Sequence, residues 1–261
     1  MTTQRQAFAR WQDDPSAFWL DAAAAISWYR KPSIGCDTTQ SSSGRWFVDG
    51  ELNACYNAVD RHIEAGRGEQ VALLHVSAMT GSERRHTYRE LRDEVAKLAG
   101  ALQRHGVTAG DRVVIYMPMV SEAVFAMLAC ARLGAIHSVV FGGFSADSLK
   151  ERIHDSQSKV VVTSDGGWRR GSQVALKAAV DAALEDSACA GIEAVIVLRR
   201  TGQDITMIDG RDHWWHDLSA TAEPVTEPVS LDSEAPLFIL YTSGSTGKPK
   251  GIMHTTGFPD G

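Results

Sequence analysis

The chain has 261 residues, of which 44% are hydrophobic and 22% are charged, and its formal net charge is −6 at pH 7. This length and apolar content suffice for one large domain or two small ones with a buried core. The acidic balance lacks the basic excess expected of a protein that binds nucleic acid or an anionic membrane, so neither is expected as a partner.

The first 68 residues are rich in tryptophan and contain no phosphate-binding or metal-binding pattern. The tryptophans are either packing residues or the walls of a cofactor site, and they are Trp11, Trp19, Trp28 and Trp46. The polar segment 1–14 does not resemble a signal peptide. The four cysteines of the chain are far apart and form no CxxC pair, a pattern typical of a reduced, cytoplasmic protein.

From Val71 onward, short apolar runs alternate with segments of helical periodicity. Thr87 and Glu90 form a capping box that opens a helix, and Gly106 ends it. Strands are predicted at residues 71–76, 112–117, 136–141, 160–163, 194–198 and 237–241. Further helices are predicted at residues 121–133, 145–156 and 174–184. This alternation predicts an α/β fold with a mostly parallel sheet flanked by helices.

The most apolar segment of the chain, residues 123–141, contains Arg132 and His137. We interpret it as a helix, a turn and a strand rather than as a membrane span. His137 is predicted to be a core or strand-end histidine.

The predicted strand at residues 237–241 runs into a loop of glycines, hydroxyl side chains and lysines, within the sequence LFILYTSGSTGKPKG. Hydroxyls, glycines without Cβ and a lysine can surround a polyphosphate with donors, and they are Thr242, Ser243, Gly244, Ser245, Thr246, Gly247 and Lys248. The loop differs from the GxxxxGK[ST] motif because Thr242 stands at the first glycine position and Pro249 follows the lysine. A surface loop without a ligand is the alternative.

This loop and several upstream segments resemble the AMP-forming adenylating enzymes, in the form carried by acetyl-CoA synthetases and their propionyl-CoA relatives. The segments are YTSGSTGKPKG followed by HTTG, and upstream RWFVDGELNACYNAVDRH, TYRELRDEV, GDRVVIYMPM and ACARLGAIHSVVFGGF. The resemblance implies an amino-terminal extension over residues 1–68 that wraps over the main domain. It also implies the first part of an AMP-binding domain over residues 69–261.

The resemblance implies ATP-dependent ligation of acetate, or of propionate, to coenzyme A. The carboxylate attacks the α-phosphorus of Mg-ATP to give an acyl-adenylate and pyrophosphate, and the coenzyme A thiol then displaces AMP. Residues 242–248 would hold the leaving pyrophosphate, with Lys248 as the catalytic residue and Lys250 as a peripheral contact. ATP, Mg²⁺ and coenzyme A are therefore the expected ligands.

A second glycine-containing loop follows the predicted strand at residues 136–141. In the resembled family the matching segments bind the nucleotide end of coenzyme A, which implies that role for Phe141, Gly142, Gly143 and Arg169. Arginine suits phosphate because its planar guanidinium can donate hydrogen bonds to two phosphate oxygens at once. The chain departs from the family pattern at Ser172, where a second arginine is common. Tight turns without a ligand are the alternative for the two glycines.

Two other histidine positions attract attention. His213 and His216 are three residues apart, a spacing that a metal ion could use on a helix, or that belongs to a solvated face beside the aromatic pair Trp214 and Trp215. His254 follows the phosphate loop closely enough to touch the site, although the resembled chemistry needs no base there.

The acetyl-CoA synthetases are longer than this chain, and the segments that bind adenine, magnesium and the acyl group are expected after residue 261. The last residues, 258–261, also differ from the family pattern. The predicted domain is therefore incomplete. Two alternatives stay open: the amino-terminal part of an adenylate-forming ligase, or a truncated, catalytically inactive fragment that retains at most coenzyme A or phosphate binding.

Overall fold

The structure is a computed structural model that describes residues 3–39, 44–242 and 249–257. Its α-helices are α1 (Gln4–Asp13), α2 (Pro15–Ala23), α3 (Tyr88–Arg104), α4 (Ser121–Leu133), α5 (Ala146–Ser156), α6 (Leu176–Leu184) and α7 (Trp215–Thr221). Its strands are β1 (Cys36–Asp37), β2 (Arg45–Trp46), β3 (Glu51–Leu52), β4 (Val71–Ser77), β5 (Ser82–Thr87), β6 (Arg112–Met117), β7 (Ile136–Phe141), β8 (Val160–Ser164), β9 (Gly167–Arg169), β10 (Ser172–Val174), β11 (Ala194–Leu198), β12 (Asp212–Trp214), β13 (Leu231–Asp232), β14 (Pro236–Thr242) and β15 (Lys250–Thr255). Short π-helical or 3-10 segments lie at Tyr56–Asp60, Ile63–Arg67 and Ser187–Cys189.

Seven strands form the central sheet, in the order β12-β11-β8-β6-β7-β14-β15. All neighbours are parallel except β14 and β15, which are antiparallel. The predicted mostly parallel sheet flanked by helices is therefore confirmed. Within the described ranges, none of the helices combines the length and the apolar character needed to cross a membrane.

Helices cover both faces of the central sheet, because alternate side chains of each strand point to opposite sides. On one face Ile115 of β6 belongs to a buried cluster with Leu98 of α3 and Phe125 of α4. On the other face Val114 of β6 belongs to a second buried cluster with Leu149 of α5. A polar ligand therefore has access to the backbone chiefly at the strand ends.

The boundaries of α3 and α4 follow from local sequence signals. Thr87 Oγ1 accepts a hydrogen bond from the Glu90 N–H at 3.2 Å, and the Thr87 N–H donates to Glu90 Oε2 at 2.8 Å, which confirms the capping box. Gly106 and Gly134 follow the two helices with φ of 74° and 73°. Both glycines thus take the left-handed conformation that commonly ends a helix.

The strand predicted at residues 71–76 does not belong to the central sheet, so that part of the prediction is wrong. β4 pairs antiparallel with β5 in a separate hairpin. The sequence of β5, SERRHT, is polar and gives no strand signal. α6 begins at Leu176 rather than at 174, because Val174 pairs with Gly167 in the β9–β10 hairpin. The sequence also gave no prediction of α1, α2, α7, β12 or β15.

The amino-terminal region packs against the residues that precede β14. Ser233 Oγ donates to the Trp46 carbonyl at 2.8 Å, and the Trp46 N–H donates to Glu234 Oε1 at 2.7 Å. Trp19 contacts Trp46 edge-on, with 5.5 Å between ring centroids. Trp11 is 39% exposed. Packing rather than a cofactor site therefore accounts for Trp19 and Trp46.

A buried amide joins the same region to α4. Asn53 Nδ2 donates to the carbonyls of Ala131 and Val229 at 2.8 and 2.9 Å. Asn53 Oδ1 accepts from the N–H groups of Cys55 and Tyr56 at 2.8 and 3.2 Å. The buried side chain thus has partners for its donors and its acceptor, as a polar group in a core requires.

The β14–β15 hairpin at the end of the central sheet is only partly covered. Leu240 and Ile252 lie opposite each other in the antiparallel register. They are 45% and 46% exposed, and Met253 is 58% exposed. Among the described strands of the central sheet, this hairpin therefore exposes the most apolar side chains.

Candidate functional site

The predicted phosphate loop follows β14 at the carboxyl edge of the sheet. Its central residues Ser243, Gly244, Ser245, Thr246, Gly247 and Lys248 lie outside the described residues. Thr242 and Lys250 flank the loop, are exposed, and pair with each other in the β14–β15 register. The two ends of the loop are therefore joined by one ladder of backbone hydrogen bonds.

The last tyrosine before the loop is held by α5, a contact that the sequence did not predict. Tyr241 Oη donates to Asp155 Oδ2 at 2.6 Å, and the Arg152 guanidinium lies 5.3 Å from the Tyr241 ring centroid. Burial and then the Asp155 carboxylate raise the pKa of Tyr241, so the phenol remains a donor at neutral pH. The sequence signal for this contact is the three-residue spacing of Arg152 and Asp155, which places both side chains on one face of α5.

The glycine-containing loop follows β7 at the same edge of the sheet. β7 and β14 are parallel neighbours, so their last residues, Phe141 and Thr242, lie at the same edge of the sheet. A Cβ atom at Gly142 would lie 2.7 Å from the Met117 carbonyl oxygen at the end of β6. Only glycine fits this close approach. Phe141, the last residue of β7, is 51% exposed and offers an open aromatic surface.

Arg169 reaches this loop from the β9–β10 hairpin. Its Nη1 donates to the Gly143 carbonyl at 3.3 Å, and its guanidinium lies 5.4 Å from the Phe141 ring centroid. The structure therefore brings together the four residues to which the sequence assigned the coenzyme A nucleotide, namely Phe141, Gly142, Gly143 and Arg169.

The hairpin that carries Arg169 turns at Arg170 and Gly171, with φ of 50° and 81°. Positive φ at both central residues is typical of a two-residue hairpin turn. Ser172 lies directly opposite Arg169 across the hairpin. An arginine at position 172 would therefore stand beside Arg169, and serine leaves that place without a second guanidinium.

These residues border a cleft of about 410 Å³. Its volume is typical of small-molecule sites. The cleft lies where the chain changes its winding direction, because β7 is on one side of β6 and β8 on the other. Its lining comes from β4 and the turn after it, from the ends of β6 and β7, and from the β9–β10 hairpin, together with Arg200. No aspartate or glutamate belongs to this lining in the described part of the chain.

Asp165 organises the backbone beneath the cleft, and the sequence analysis missed it. Its buried carboxylate accepts hydrogen bonds from the N–H groups of Gly166, Arg200, Thr201 and Gly202, at distances from 2.7 to 3.1 Å. The ends of β8 and β11 are thereby fixed to each other. An aspartate that directly follows the buried strand VVVTS was the signal in the sequence.

The histidines do not form a metal site. His213 lies in β12 and packs on His105 with 4.3 Å between ring centroids, whereas His216 lies in α7 beside Asp217. His137 is buried, as predicted. His254 stacks on Phe238 in the β14–β15 hairpin. Across the described ranges, no group of three or more His, Cys, Asp or Glu side chains is arranged to hold a metal ion.

Two family models match the chain. The model described as AMP-binding enzyme matches residues 61–258, and the model described as acetyl-coenzyme A synthetase N-terminus matches residues 4–58. Together the two models account for nearly all of the chain, and they meet close to the end of the tryptophan-rich region.

The chain is 52% identical to an acetyl-coenzyme A synthetase of Streptomyces avermitilis over 97% of its own length, and 53% identical to one of Methylobacillus flagellatus over 94%. It spans 38% of the length of both relatives. It also matches the acetoacetyl-CoA synthetase structure from Streptomyces lividans with a TM-score of 0.82 and 29% identity, over 95% of this chain and 38% of that one. The chain therefore belongs to the AMP-binding enzyme family and is similar to the amino-terminal portion of acetyl-coenzyme A synthetases.

Proposed function

We propose that the chain carries the pyrophosphate-binding loop and the coenzyme A cleft of an ATP-dependent ligase that joins acetate to coenzyme A. The observation that supports this most directly is the placement of the two loops. Thr242 ends β14 and Phe141 ends β7, and these strands are parallel neighbours. ATP and the nucleotide end of coenzyme A would thus bind at the same edge of the sheet.

The first step of the proposed reaction is attack of the acetate oxygen on the α-phosphorus of ATP. A P–O bond to the carboxylate forms, and the P–O bond to pyrophosphate breaks. The carboxylate is already ionised at neutral pH, so the step depends on orientation and on neutralising the charge of the leaving group. Thr242, Lys248 and the loop residues between them supply hydroxyl, backbone N–H and ammonium donors, and Lys250 lies at the margin.

Magnesium enters this reaction as part of the Mg-ATP substrate, where it neutralises phosphate charge. The described residues offer no cluster of acidic or histidine side chains for it. We therefore assign no residue of this chain to the ion.

In the second step the coenzyme A thiol gives up its proton to solvent and attacks the acyl carbon. An S–C bond forms, the C–O bond to the phosphate breaks, and AMP leaves with that oxygen. The residues at the cleft bind and orient the nucleotide end of coenzyme A. Arg169 supplies a guanidinium for phosphate, Phe141 supplies a face for the adenine ring, and Gly142 and Gly143 allow close approach to the backbone.

A second candidate function follows from the length of the chain relative to its relatives. Because the chain spans 38% of the first relatives' length, the alternative is a catalytically inactive chain that retains at most coenzyme A or phosphate binding. We also propose the division into an amino-terminal extension at residues 1–68 and the first part of the AMP-binding domain at residues 69–261, and a cytoplasmic location.

The test uses the purified 261-residue chain. Acetate-dependent exchange of labelled pyrophosphate into ATP measures the first step, and calorimetric titration with coenzyme A measures the cleft. Exchange together with coenzyme A binding supports the ligase. Coenzyme A binding without exchange supports the inactive chain, and neither signal rejects both functions. Replacing acetate with propionate tests the alternative substrate. Faster pyrophosphate exchange with propionate would contradict acetate as the preferred substrate.

A further inference from the structure

The cleft carries an unbalanced positive charge. Three of its lining residues are arginines, Arg169, Arg170 and Arg200, and in the described part of the chain no carboxylate lines it. Arginines that line one cleft without a carboxylate favour an anionic ligand, because a bound phosphate neutralises their charge and accepts bidentate hydrogen bonds. Arg200 belongs to none of the motifs that the sequence shows and lies 31 residues beyond Arg169.

Arg200 points into the cleft, and its neighbour Arg199 points away from it. The Arg199 guanidinium lies 4.3 Å from the Trp214 ring centroid, on the β12 side of β11. Arg200 is partly buried, and its Nη2 donates to Ser77 Oγ at 3.4 Å. That bond is long, so most of the donor capacity of the guanidinium is available to a ligand.

The backbone of Arg200 is fixed in place before any ligand binds. Asp165 Oδ1 accepts the Arg200 N–H at 2.8 Å, and Asp165 Oδ2 accepts the Gly202 N–H at 2.7 Å. The Asp165 side chain is fully buried. A binding residue held in this way loses less conformational entropy when it meets a ligand. Asp165 is thus a positioning residue for Arg200.

Arg169 and Arg200 approach the cleft from different sides. Arg169 contacts Gly143 at the end of β7, and Arg200 follows β11. The Arg169 guanidinium is held at Gly143 after β7, whereas the Arg200 guanidinium is held at Ser77 in β4. The two cations are thus anchored to different elements of the lining and offer separate positions for phosphate.

We propose that Arg200 binds a phosphate group of the cleft ligand other than the one bound by Arg169, so that the cleft selects a nucleotide with phosphate at two positions. This rests on the proposed function, in which the ligand is coenzyme A, with its 3′-phosphate and its 5′-diphosphate. Arg200 then adds a guanidinium to the cleft at a position distinct from that of Arg169, which has Ser172 opposite it.

The test is calorimetric titration of the full chain with coenzyme A. Arg200→Ala is expected to weaken binding about 10- to 100-fold, the range for a lost charged hydrogen bond, and Arg200→Lys is expected to restore part of the loss. Arg199→Ala is the matched control, because it removes the same charge one residue away and outside the cleft. It is expected to bind coenzyme A with the affinity of the wild-type chain.

Dephospho-coenzyme A, which lacks the 3′-phosphate, separates the two arginines. Of Arg169→Ala and Arg200→Ala, the variant that lacks the arginine for the 3′-phosphate should bind coenzyme A and dephospho-coenzyme A equally. The variant that lacks the arginine for the 5′-diphosphate should still prefer coenzyme A. If Arg169→Ala and Arg200→Ala respond alike to the missing phosphate, or if Arg200→Ala binds like wild type while Arg169→Ala does not, the inference is overturned and the coenzyme A site stands. If wild type binds no coenzyme A, the proposed cleft function fails as well.

Asp165→Asn tests the positioning role. In the wild-type background it is expected to weaken coenzyme A binding, and in the Arg200→Ala background it is expected to add little, because both changes act through one contact. Additive losses would contradict the positioning role. Near-ultraviolet circular dichroism of each variant confirms that the fold is retained.

Discussion

Arg132 Nη2 donates to both carboxylate oxygens of Asp60, at 2.8 and 2.7 Å, and the Arg132 side chain is fully buried. Arg132 Nη1 donates to the Thr226 carbonyl at 2.7 Å. One guanidinium thus connects α4, the amino-terminal region and the segment that leads to β14. A buried charge of this kind is tolerated only while its partner is present.

Asp60→Asn is expected to lower the free energy of unfolding by about 3 to 5 kcal/mol, because it leaves the Arg132 charge buried without compensation. Urea denaturation measures the loss. Asp21→Asn is the control, since Asp21 pairs with Arg10 on the surface, and its loss should stay within about 0.5 kcal/mol. Equal losses in the two variants would show that burial of the Arg132 pair does not matter.

His137 should make the protein sensitive to mild acid. Burial lowers the pKa of His137 from 6.5 to about 4. The unfolded chain therefore binds a proton at His137 near pH 6.5 that the folded chain does not bind until about pH 4. The contribution of His137 to stability is thus fully present above this window and is lost as the pH falls through it. The full difference is about 3 kcal/mol. Unfolding free energies at pH 7 and pH 4.5 measure most of this difference.

His137→Leu is expected to reduce this dependence on pH, because leucine has no proton to bind in either state. His216→Leu is the matched control, as the His216 side chain is 56% exposed, and it should keep the dependence of the wild-type chain. An undiminished dependence in His137→Leu would contradict the assignment.

Gly142→Ala is expected to abolish coenzyme A binding and to cost about 1 to 3 kcal/mol of stability, because the new methyl group would overlap the backbone at Met117. Calorimetry and urea denaturation check the two effects. Gly191→Ala is the control, because the nearest atom to its added Cβ, the Ser158 carbonyl oxygen, is 3.9 Å away. A tolerated alanine at position 142 would mean that the β7 loop does not need its close approach to β6.

Lys248→Ala and Gly244→Ala are expected to slow acetate-dependent pyrophosphate exchange and to leave coenzyme A binding unchanged. Loss of one well-placed charged donor typically costs about 100- to 1,000-fold in rate. Lys250→Ala, at the margin of the loop, should have a smaller effect. Unchanged exchange in Lys248→Ala would remove the catalytic role from this lysine. The comparison requires measurable exchange by the wild-type chain, as the test of the proposed function provides.

The sequence predicted the elements whose signals are local. β6 after its first residue and the whole of β11 are continuous apolar runs, and α3 begins at a capping box that needs only Thr87 and Glu90. The order of strands in the sheet depends on distant pairings instead. The exposed β4 reads like a core strand in sequence, because its partner β5 is polar and its position outside the sheet has no local signature.

The same distinction applies to the candidate site. The resemblance assigned Phe141 and Arg169 to one ligand, and the structure shows why they act together, since Arg169 contacts Gly143 across 26 residues of sequence. Asp165 and Arg200 could not be found in this way, because their hydrogen bond joins residues 35 positions apart without a shared motif. The roles of residues 243–248 in the phosphate loop stay a prediction.

The apolar side chains of the β14–β15 hairpin set a practical condition for all of these measurements. Leu240, Ile252 and Met253 lie on a pair of strands at the end of the sheet and are each more than two-fifths exposed. Exposed apolar side chains on a strand at the edge of a sheet promote association with the same surface of a second copy of the chain. Light scattering of the purified chain should rise with protein concentration, and titrations belong below the concentration at which it begins to rise.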